Sequence, residues 1–268
     1  MVGEPKNWLQ AARKVWPRLT ELARNGDVAY YEDIAPLIPT NPLNVGRALG
    51  PIQSYCSETK RPPLTALVIS KTTGKPGPGF FAWDGDLADG LDLVFDYDWQ
   101  KVANPFGKLA PADTEESLVA ELLRAPDMSG SVYERLPDRG VAQTVFRAAL
   151  LQAYECRCSF CEFSFKEALD GAHIIPWQSA TASERLDVRN GLLLCSTHHR
   201  MFDNRLIAPT TDFMVRYCDP EEANGPYSAS DTSMSSALHG KPMHLPADSG
   251  VQPSAEYIAR RLRMDRWD

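Results

Sequence analysis

The sequence predicts an α+β protein built from two domains. A chain of 268 residues exceeds the usual size of one compact domain, so two modest cores are expected. Helical patterns and short β-rich runs alternate in its first hundred residues, and a second such mixture surrounds closely spaced Cys and His residues near its middle. An apolar fraction of 43% and a charged fraction of 24% are typical of an ordinary globular protein.

The composition also predicts a cytoplasmic protein with no membrane partner. The opening stretch "MVGEPKNWLQAARKVWPRL" lacks the continuous apolar run of a secretory signal, and no window approaches the roughly 18 apolar residues of a membrane span. Three of the six cysteines crowd into "CRCSFC". In a reducing compartment such clustering indicates metal ligation rather than disulfides.

Charge is segregated along the chain, so the net charge of −7 is a poor guide to binding partners. Residues 1–80 hold ten Lys and Arg against six Asp and Glu, whereas residues 84–98 hold six Asp and no basic residue. The N-terminal part can therefore bind an anionic partner in spite of the acidic total.

The first domain, residues 1–105, is predicted to begin with helices. The opening helix carries Trp8, Leu9, Ala12, Val15 and Trp16, and "GDVAYYEDIAPLI" contains a short second helix. A third helix follows in "TNPLNVGRALGPIQSYCSE", with Thr40 or Asn41 as its N-cap and Pro42 in its first turn. One face of this helix should be buried, formed by Val45, Leu49, Ile52 and Cys56.

A hairpin is predicted after the helices. "LTALVIS" and "GFFAW" are β-rich runs that flank the loop "KTTGKPGPG", which would form a basic tip. Helix, helix and hairpin in this order are typical of a winged helix. Residues 106–140 are predicted to be a linker region containing one helix at "DTEESLVAELLRA".

The second domain, residues 141–268, is predicted to open with the helix "GVAQTVFRAALLQAY" and to hold a zinc site. Cys158 and Cys161 form one C-x2-C knuckle, and Cys195 and His198 form a C-x2-H knuckle 34 residues later. Two such turns can close a tetrahedral Zn²⁺ site. Cys156 is a less usual chelating neighbour, and "SASDTSMSS" is predicted to be a solvated loop.

Further polar residues accompany the knuckles. His199 and Asp203 are four residues apart and would share one face of a helix, where they could bind a second, catalytic cation. His173 ends a short β-prone run in "DGAHIIPW", and Asn190 lies in a turn before the apolar segment "GLLLC".

This combination resembles the HNH, or ββα-metal, endonuclease family over roughly residues 141–210. The resemblance rests on "AHIIP", "NGLLLC" and "HHRMFD", in which His, Asn and His occur in order among zinc knuckles. It implies that His173 is the general base, that Asn190 holds the loop and His173 in orientation, and that His199 binds a catalytic Mg²⁺ or Mn²⁺.

The sequence departs from the family at one position. Many members carry Asp or His directly before the general base as another metal ligand, whereas this chain has Ala172. Asp203 is therefore the preferred partner of His199, with Asn204 a weaker candidate and Asp170 a poor one.

The N-terminal stretch "GDVAYYEDIA…NVGRALG…LVIS" is similar to the winged helix of alkylguanine-DNA alkyltransferases and their non-enzymatic relatives. In that family an Arg enters the duplex beside a flipped nucleotide, and Arg47 matches it. Leu64 stands where the enzymes have their reactive cysteine, so alkyl transfer is excluded. The resemblance implies that Lys71 and Lys75 contact phosphates, and Tyr30 and Tyr31 are candidates for stacking on a base. A solvated Arg47, or core packing of Tyr30 or Tyr31, is the alternative.

A reader joined to an HNH nuclease resembles the modification-dependent restriction enzymes of the McrA type. The implied partner is double-stranded DNA, modified or not, bound by a monomer or a homodimer. Two alternatives stay open. One is a nicking or homing-type nuclease that reads plain sequence, and the other is an inactive zinc-module DNA-binding protein.

Overall fold

The described part of the chain consists mainly of helices, together with three small two-stranded sheets. The structure, a computed structural model, describes residues 7–38, 42–80, 83, 85–136 and 139–267, with Glu58 described by its backbone alone. Its residue contacts divide the chain into two units. The first comprises Met1–Leu118 and Glu134–Thr144, and the second comprises Val119–Tyr133 and Val145–Asp268.

The first unit is organised around two packed helices. Its elements are α1 (Trp8–Asn25), β1 (Ala29–Tyr30), α2 (Tyr31–Ile34), α3 (Val45–Glu58), β2 (Val68–Ile69) and α4 (Leu87–Asp96). The side chain of Asn7 caps the start of α1 by accepting from the Gln10 amide at 3.1 Å. Gly26 ends α1 in the left-handed conformation (φ 72°), which glycine adopts without steric cost.

The predicted buried faces of these helices are confirmed. In α1 the residues Leu9, Ala12, Val15 and Trp16 are buried, and in α3 the predicted stripe is buried throughout: Val45, Leu49, Ile52 and Cys56. Trp16 lies edge-on to Tyr55 of α3 with ring centroids 5.2 Å apart, which ties the two helices together. The predicted N-cap residues Thr40 and Asn41 lie outside the described residues.

The predicted hairpin is corrected in part by the structure. Leu64–Leu67, predicted as part of a strand, forms a 3₁₀ helix, and Val68–Ile69 pairs in parallel with Ala29–Tyr30. Phe80 lies outside any strand, and Phe81 and Ala82 lie outside the described residues. The intervening loop contains Pro76 and Pro78, which have no N–H to donate to a ladder. The winged-helix assignment of this region stays a prediction.

Residues 106–140, predicted to be a linker region with one helix, contain a second helix as well. They hold α5 (Glu115–Arg124), as predicted, and also α6 (Ser129–Arg135). Phe106 and Leu109 are buried within the first unit. The contact units do not delimit functional domains, so boundaries at residues 105 and 140 stay predictions.

The second unit is built around an antiparallel hairpin between two helices. α7 (Arg139–Ala153) begins in the first unit and continues into the second, where it precedes β3 (Leu169–His173), β4 (Gly191–Cys195) and α8 (Ser196–Asp203). The register pairs Leu169 with Cys195 and His173 with Gly191. Further along the chain lie β5 (Ile207–Pro209), β6 (Val215–Tyr217), α9 (Ala229–Ser233) and α10 (Ala255–Asp265).

Helix α7 packs closely on one face of the hairpin, and α8 contacts both strands. A Cβ atom placed on Gly191 would lie 2.7 Å from Phe146 and 2.8 Å from Leu150 of α7. Gly191 is thus required by the close approach of helix and strand rather than by its backbone angles. The packing fixes the turn that carries Asn190 immediately before β4.

Within the described part of the chain, no helix has the length and apolar character needed to cross a membrane.

Candidate metal centre and catalytic site

Four side chains from the two predicted knuckles meet at one point. The ligand atoms of Cys158, Cys161, Cys195 and His198 all lie within 4.8 Å of one another. Nδ1 of His198 lies 3.3 Å from Sγ of Cys195 and 3.6 Å from Sγ of Cys158. Three sulfurs and one imidazole nitrogen are a donor set that suits tetrahedral Zn²⁺. The predicted ligand set is thereby brought together, and this cluster could bind zinc.

The environment of His198 fits a ligand that binds through Nδ1. Its Nε2 lies 2.9 Å from the carbonyl oxygen of Met234, which can only accept a hydrogen bond. Nε2 therefore carries the proton, and the lone pair of the neutral ring is on Nδ1, among the sulfurs. Burial alone lowers the pKa of His198, but hydrogen bonds with Cys158 and Cys195 outweigh it and raise the pKa to about 10. A metal ion on Nδ1 would take the place of that proton.

Sequence reasoning missed the contribution of Met234. The stretch predicted as a solvated loop instead contains α9, capped by Ser228, whose hydroxyl accepts from the Asp231 amide at 3.1 Å. The carbonyl of Met234 directly after α9 orients His198 from 36 residues away. The capping pattern Ser-x-x-Asp before α9 was the available signal for this helix.

His173 occupies the end of β3, as predicted, in an aromatic setting. Its ring stacks on Phe146 at a centroid distance of 4.2 Å and meets the edge of Trp177 at 5.6 Å. Its Nε2 lies 2.8 Å from the carbonyl oxygen of Arg185, which must accept. The proton of the neutral ring is therefore on Nε2 and the basic lone pair on Nδ1. This is a tautomer that can take a proton from water through Nδ1.

Asn190 is fully buried and fastens the loop between β3 and β4. Its Oδ1 accepts from the backbone amide of Ile175 at 2.7 Å, and its Nδ2 donates to the carbonyl of Glu184 at 2.9 Å. The backbone carbonyl of Asn190 also accepts from the amide of Ile174 at 2.8 Å. Asn190 thus holds the residues that directly follow His173.

His199 on α8 lies between two carboxylates. Its Nδ1 is 3.4 Å from Oδ2 of Asp170 on β3, and its Nε2 is 3.6 Å from Oδ2 of Asp203. The predicted pairing of His199 with Asp203 on one helical face is therefore present. Each ring nitrogen of His199 therefore faces one carboxylate, and a nitrogen with its carboxylate could share a hard divalent cation that keeps open positions for water and phosphate.

Electrostatics favour the charged forms in this group. The pKa of the Asp170 carboxyl lies below its usual value, first because of its hydrogen bond with His199, and further because of the positive charge of Arg147. Burial lowers the pKa of His199, but the hydrogen bond with Asp170 and the charges of both carboxylates outweigh it, so the net pKa is raised. Asp170 is consequently ionised and available as an oxygen donor at neutral pH.

Asp170, ranked from the sequence as a poor candidate ligand, lies close to His199 in the structure. Asp170 approaches His199 as closely as Asp203 does, because the β3–β4 pairing and the α8 packing bring residues 29 positions apart together. Asn204 instead donates from its Nδ2 to the Arg200 carbonyl at 2.7 Å. Ala172 is buried and offers no ligand atom. Asp170 is the residue of β3 whose carboxylate faces His199.

The four residues predicted to bind DNA lie in the first unit. Arg47 and Lys71 line one cavity of about 560 Å³ together with Tyr31, Gln53 and Thr65. Nζ of Lys71 lies 5.2 Å from the centre of the Tyr30 ring, and Tyr30 is 39% exposed. Lys75 is exposed in the same loop as Lys71 but is not among the cavity residues. The structure therefore brings Arg47, Lys71 and Tyr30 to one region of the surface.

The segment of the second unit that carries these residues matches one protein family. Residues 158–208 match the family described as HNH endonuclease. This segment is therefore similar to HNH endonuclease domains. It contains both zinc knuckles, His173, Asn190, His199 and Asp203. No curated protein matches the chain.

Proposed function

We propose that the chain is a metal-dependent DNA endonuclease that hydrolyses phosphodiester bonds. The observation that carries the proposal is the HNH-like domain, in which β3, the turn before β4 and α8 bring His173, the buried Asn190 and a His199–carboxylate group together beside a Cys/His cluster that could bind zinc. Such a domain acts on nucleic acid. The zinc cluster would stabilise the fold, while the second group would serve the reaction.

The roles follow from the contacts of each side chain. His173 takes the proton of the attacking water on Nδ1, because the Arg185 carbonyl keeps the ring's own proton on Nε2. Asn190 keeps the loop after His173 in place through its three bonds to the backbone. His199 and Asp170 would hold Mg²⁺ or Mn²⁺, which when bound stabilises the negative charge that develops on the phosphate and the leaving oxygen.

Asp170 and Asp203 are proposed to have different roles beside His199. A metal-binding imidazole uses one nitrogen for the ion, while its other nitrogen is oriented by a carboxylate or carbonyl. Asp170 belongs to the hydrogen-bonded strand β3 and is less exposed than Asp203, with side-chain exposures of 43% and 61%. We therefore assign Asp170 and Nδ1 of His199 to the cation, and Asp203 to orienting the ring from Nε2.

Replacing Asp170 by Asn should raise the Mn²⁺ concentration needed for half-maximal cleavage by about tenfold or more, because a neutral amide is a weaker ligand for a hard cation. Asp203→Asn should cause a smaller rise. Zinc content should be unchanged in both variants, and Asp212→Asn, an exposed position of the same unit, serves as the control. A larger effect at Asp203 than at Asp170 would reverse the two assignments.

The first unit is proposed to select the DNA. Arg47 and Lys71 share a cavity whose wall includes the buried side chains of Gln53 and Thr65, so cations that attract phosphate stand beside polar groups that can read a base. A cavity of about 560 Å³ is large enough for one nucleobase with room for a substituent. This supports a reader that accepts a modified or extruded base.

Arg47→Ala should weaken binding most for the preferred DNA and narrow its advantage over ordinary DNA. Lys71→Ala and Lys75→Ala should weaken binding to both kinds of DNA alike and flatten the salt dependence, since phosphate contacts carry no sequence information. Lys108→Ala, an exposed change elsewhere in the unit, is the control. Binding isotherms at several salt concentrations measure these effects. Equal losses on both DNAs from Arg47→Ala would reduce Arg47 to a phosphate contact.

A restriction role directed to modified DNA is the finer form of the proposal. It is tested by comparing cleavage of modified phage DNA, methylated plasmid and unmodified plasmid at equal protein and Mn²⁺ concentrations. Preferential cleavage of a modified substrate supports it. Site-specific cuts in unmodified DNA would instead favour a nicking or homing-type nuclease, and DNA binding without strand breaks would favour an inactive zinc-module protein.

A further inference from the structure

A second group of side chains in the nuclease unit surrounds Arg185, whose backbone carbonyl receives the Nε2 proton of His173. Arg185 lies in the loop between β3 and β4, five residues before Asn190. No motif of the sequence singles it out. Its side chain nevertheless contacts two aromatic rings, those of Tyr133 and Trp177.

Two aromatic residues contact the guanidinium of Arg185. Its Nη1 donates to the hydroxyl of Tyr133 at 2.6 Å, and its Nε donates to the backbone carbonyl of Trp177 at 3.3 Å. Its Cζ lies 5.2 Å from the Tyr133 ring centre and 5.3 Å from that of Trp177. A planar guanidinium can form these bonds and ring contacts together, whereas an ammonium cannot.

One of these aromatic residues, Trp177, also contacts the ring of the proposed general base His173. The Trp177 ring forms T-shaped contacts with the His173 ring, at a centroid distance of 5.6 Å, and with the Tyr133 ring, at 5.9 Å. The side chain of Arg185 thus anchors the segment whose carbonyl fixes the Nε2 proton, and its ring partner Trp177 borders the imidazole. Asn190 holds the loop at Ile175 and Glu184, so the peptide of Arg185 directly follows an anchored residue.

We propose that Arg185 is a positioning residue for the reaction, and that the clamp formed by Arg185, Tyr133 and Trp177 keeps His173 in the tautomer with its basic nitrogen at Nδ1. The inference rests on the proposed nuclease function. Its physical reason is that a general base works only when its lone pair points at the water, and a displacement of about 1 Å can cost about a hundredfold in rate.

The competing role for Arg185 is a contact with a DNA phosphate, and the clamp predicts a different pattern of variants. Arg185→Ala should lower kcat by up to about a hundredfold and leave the Kd for DNA and its salt dependence unchanged. Arg185→Lys should fail to restore kcat, because lysine keeps the charge but cannot make the forked contacts. Tyr133→Phe, which loses only the hydroxyl acceptor, should cause a smaller fall in kcat.

A phosphate contact would give the opposite result. Arg185→Ala would then raise Kd and reduce the salt dependence of binding, and Arg185→Lys would recover most of the affinity. A raised Kd in Arg185→Ala, or recovered affinity in Arg185→Lys, would overturn the proposed clamp. Arg263→Ala in α10, an exposed arginine of the same unit, controls for the loss of one positive charge.

The tautomer of His173 gives a readout that does not depend on cleavage. Imidazole ¹⁵N chemical shifts of the zinc-loaded full-length protein should show His173 protonated at Nε2 in the parent and a mixture of tautomers in Arg185→Ala, with zinc content and Tm close to the parent values. An unchanged single tautomer in a folded Arg185→Ala variant would overturn the proposal. A parent protein with the expected tautomer but no nuclease activity would contradict the proposed function and leave the clamp intact.

Discussion

Replacing His173 by Ala is expected to lower the rate of DNA cleavage by about 10²- to 10⁴-fold, the usual contribution of a general base. The imidazole is the group at the end of β3 whose tautomer is fixed for accepting a proton, through its bond to the Arg185 carbonyl. Alanine removes the proton acceptor and leaves the hairpin ladder intact, since the β3–β4 register depends on backbone bonds. Single-turnover cleavage of plasmid measures the loss.

The control for this variant is that the fold, the metal content and DNA binding are preserved. Zinc content, Tm and the Kd for DNA should stay close to the parent values, although loss of the stack on Phe146 will cost some stability. His173→Gln keeps a polar side chain of similar reach and should be as inactive as His173→Ala. Near-parental cleavage by either folded variant would show that another group is the base.

Replacing Cys195 by Ser is expected to unfold the nuclease unit rather than only to slow it. Cys195 is buried, ends β4, and presents its sulfur to His198 and Cys161 at 3.3 Å and 4.0 Å. Hydrogen bonds from Cys158 and Cys161 are the main reason that the pKa of Cys195 is lowered, which favours the thiolate that zinc requires. Structural zinc contributes directly to folding, so its loss should cost several kcal/mol, on the order of a whole domain's stability.

The experiment compares metal content and thermal unfolding. The parent protein should carry about one zinc per chain, whereas Cys195→Ser and Cys158→Ser should carry little and melt at a much lower temperature. Cys218→Ser, a change at an exposed cysteine of the same unit, is the control and should keep both properties. Parental stability in a zinc-free Cys195→Ser protein would mean that the cluster does not hold the fold together.

The features that could be predicted from the sequence are local ones. Each zinc knuckle is a single turn, so C-x2-C and C-x2-H spacing was enough to find Cys158, Cys161, Cys195 and His198. The spacing of four between His199 and Asp203 likewise places both on one helical face, because a helix has 3.6 residues per turn. Apolar periodicity was sufficient for the buried faces of α1 and α3 for the same reason.

The features that could not be predicted depend on distant parts of the chain. Asp170 reaches His199, and Met234 reaches His198, only after β3, β4, α8 and α9 have packed, and neither pairing has a local sequence signal. The parallel pairing of β2 with β1, which lies 39 residues earlier in the Ala29–Val68 register, has no local sequence signal either. Strand pairing of this kind is decided by tertiary packing, not by β-rich composition.

The most direct test of the central claim, that this chain is a cation-dependent DNA endonuclease, is cleavage of supercoiled plasmid by zinc-loaded full-length protein. Mn²⁺ or Mg²⁺ would be added stepwise to protein freed of other divalent cations, with His173→Ala in parallel. The account predicts nicked or linear products that rise with added cation and stay at background in the variant. Intact plasmid at every cation concentration, from folded protein that binds DNA, would contradict it.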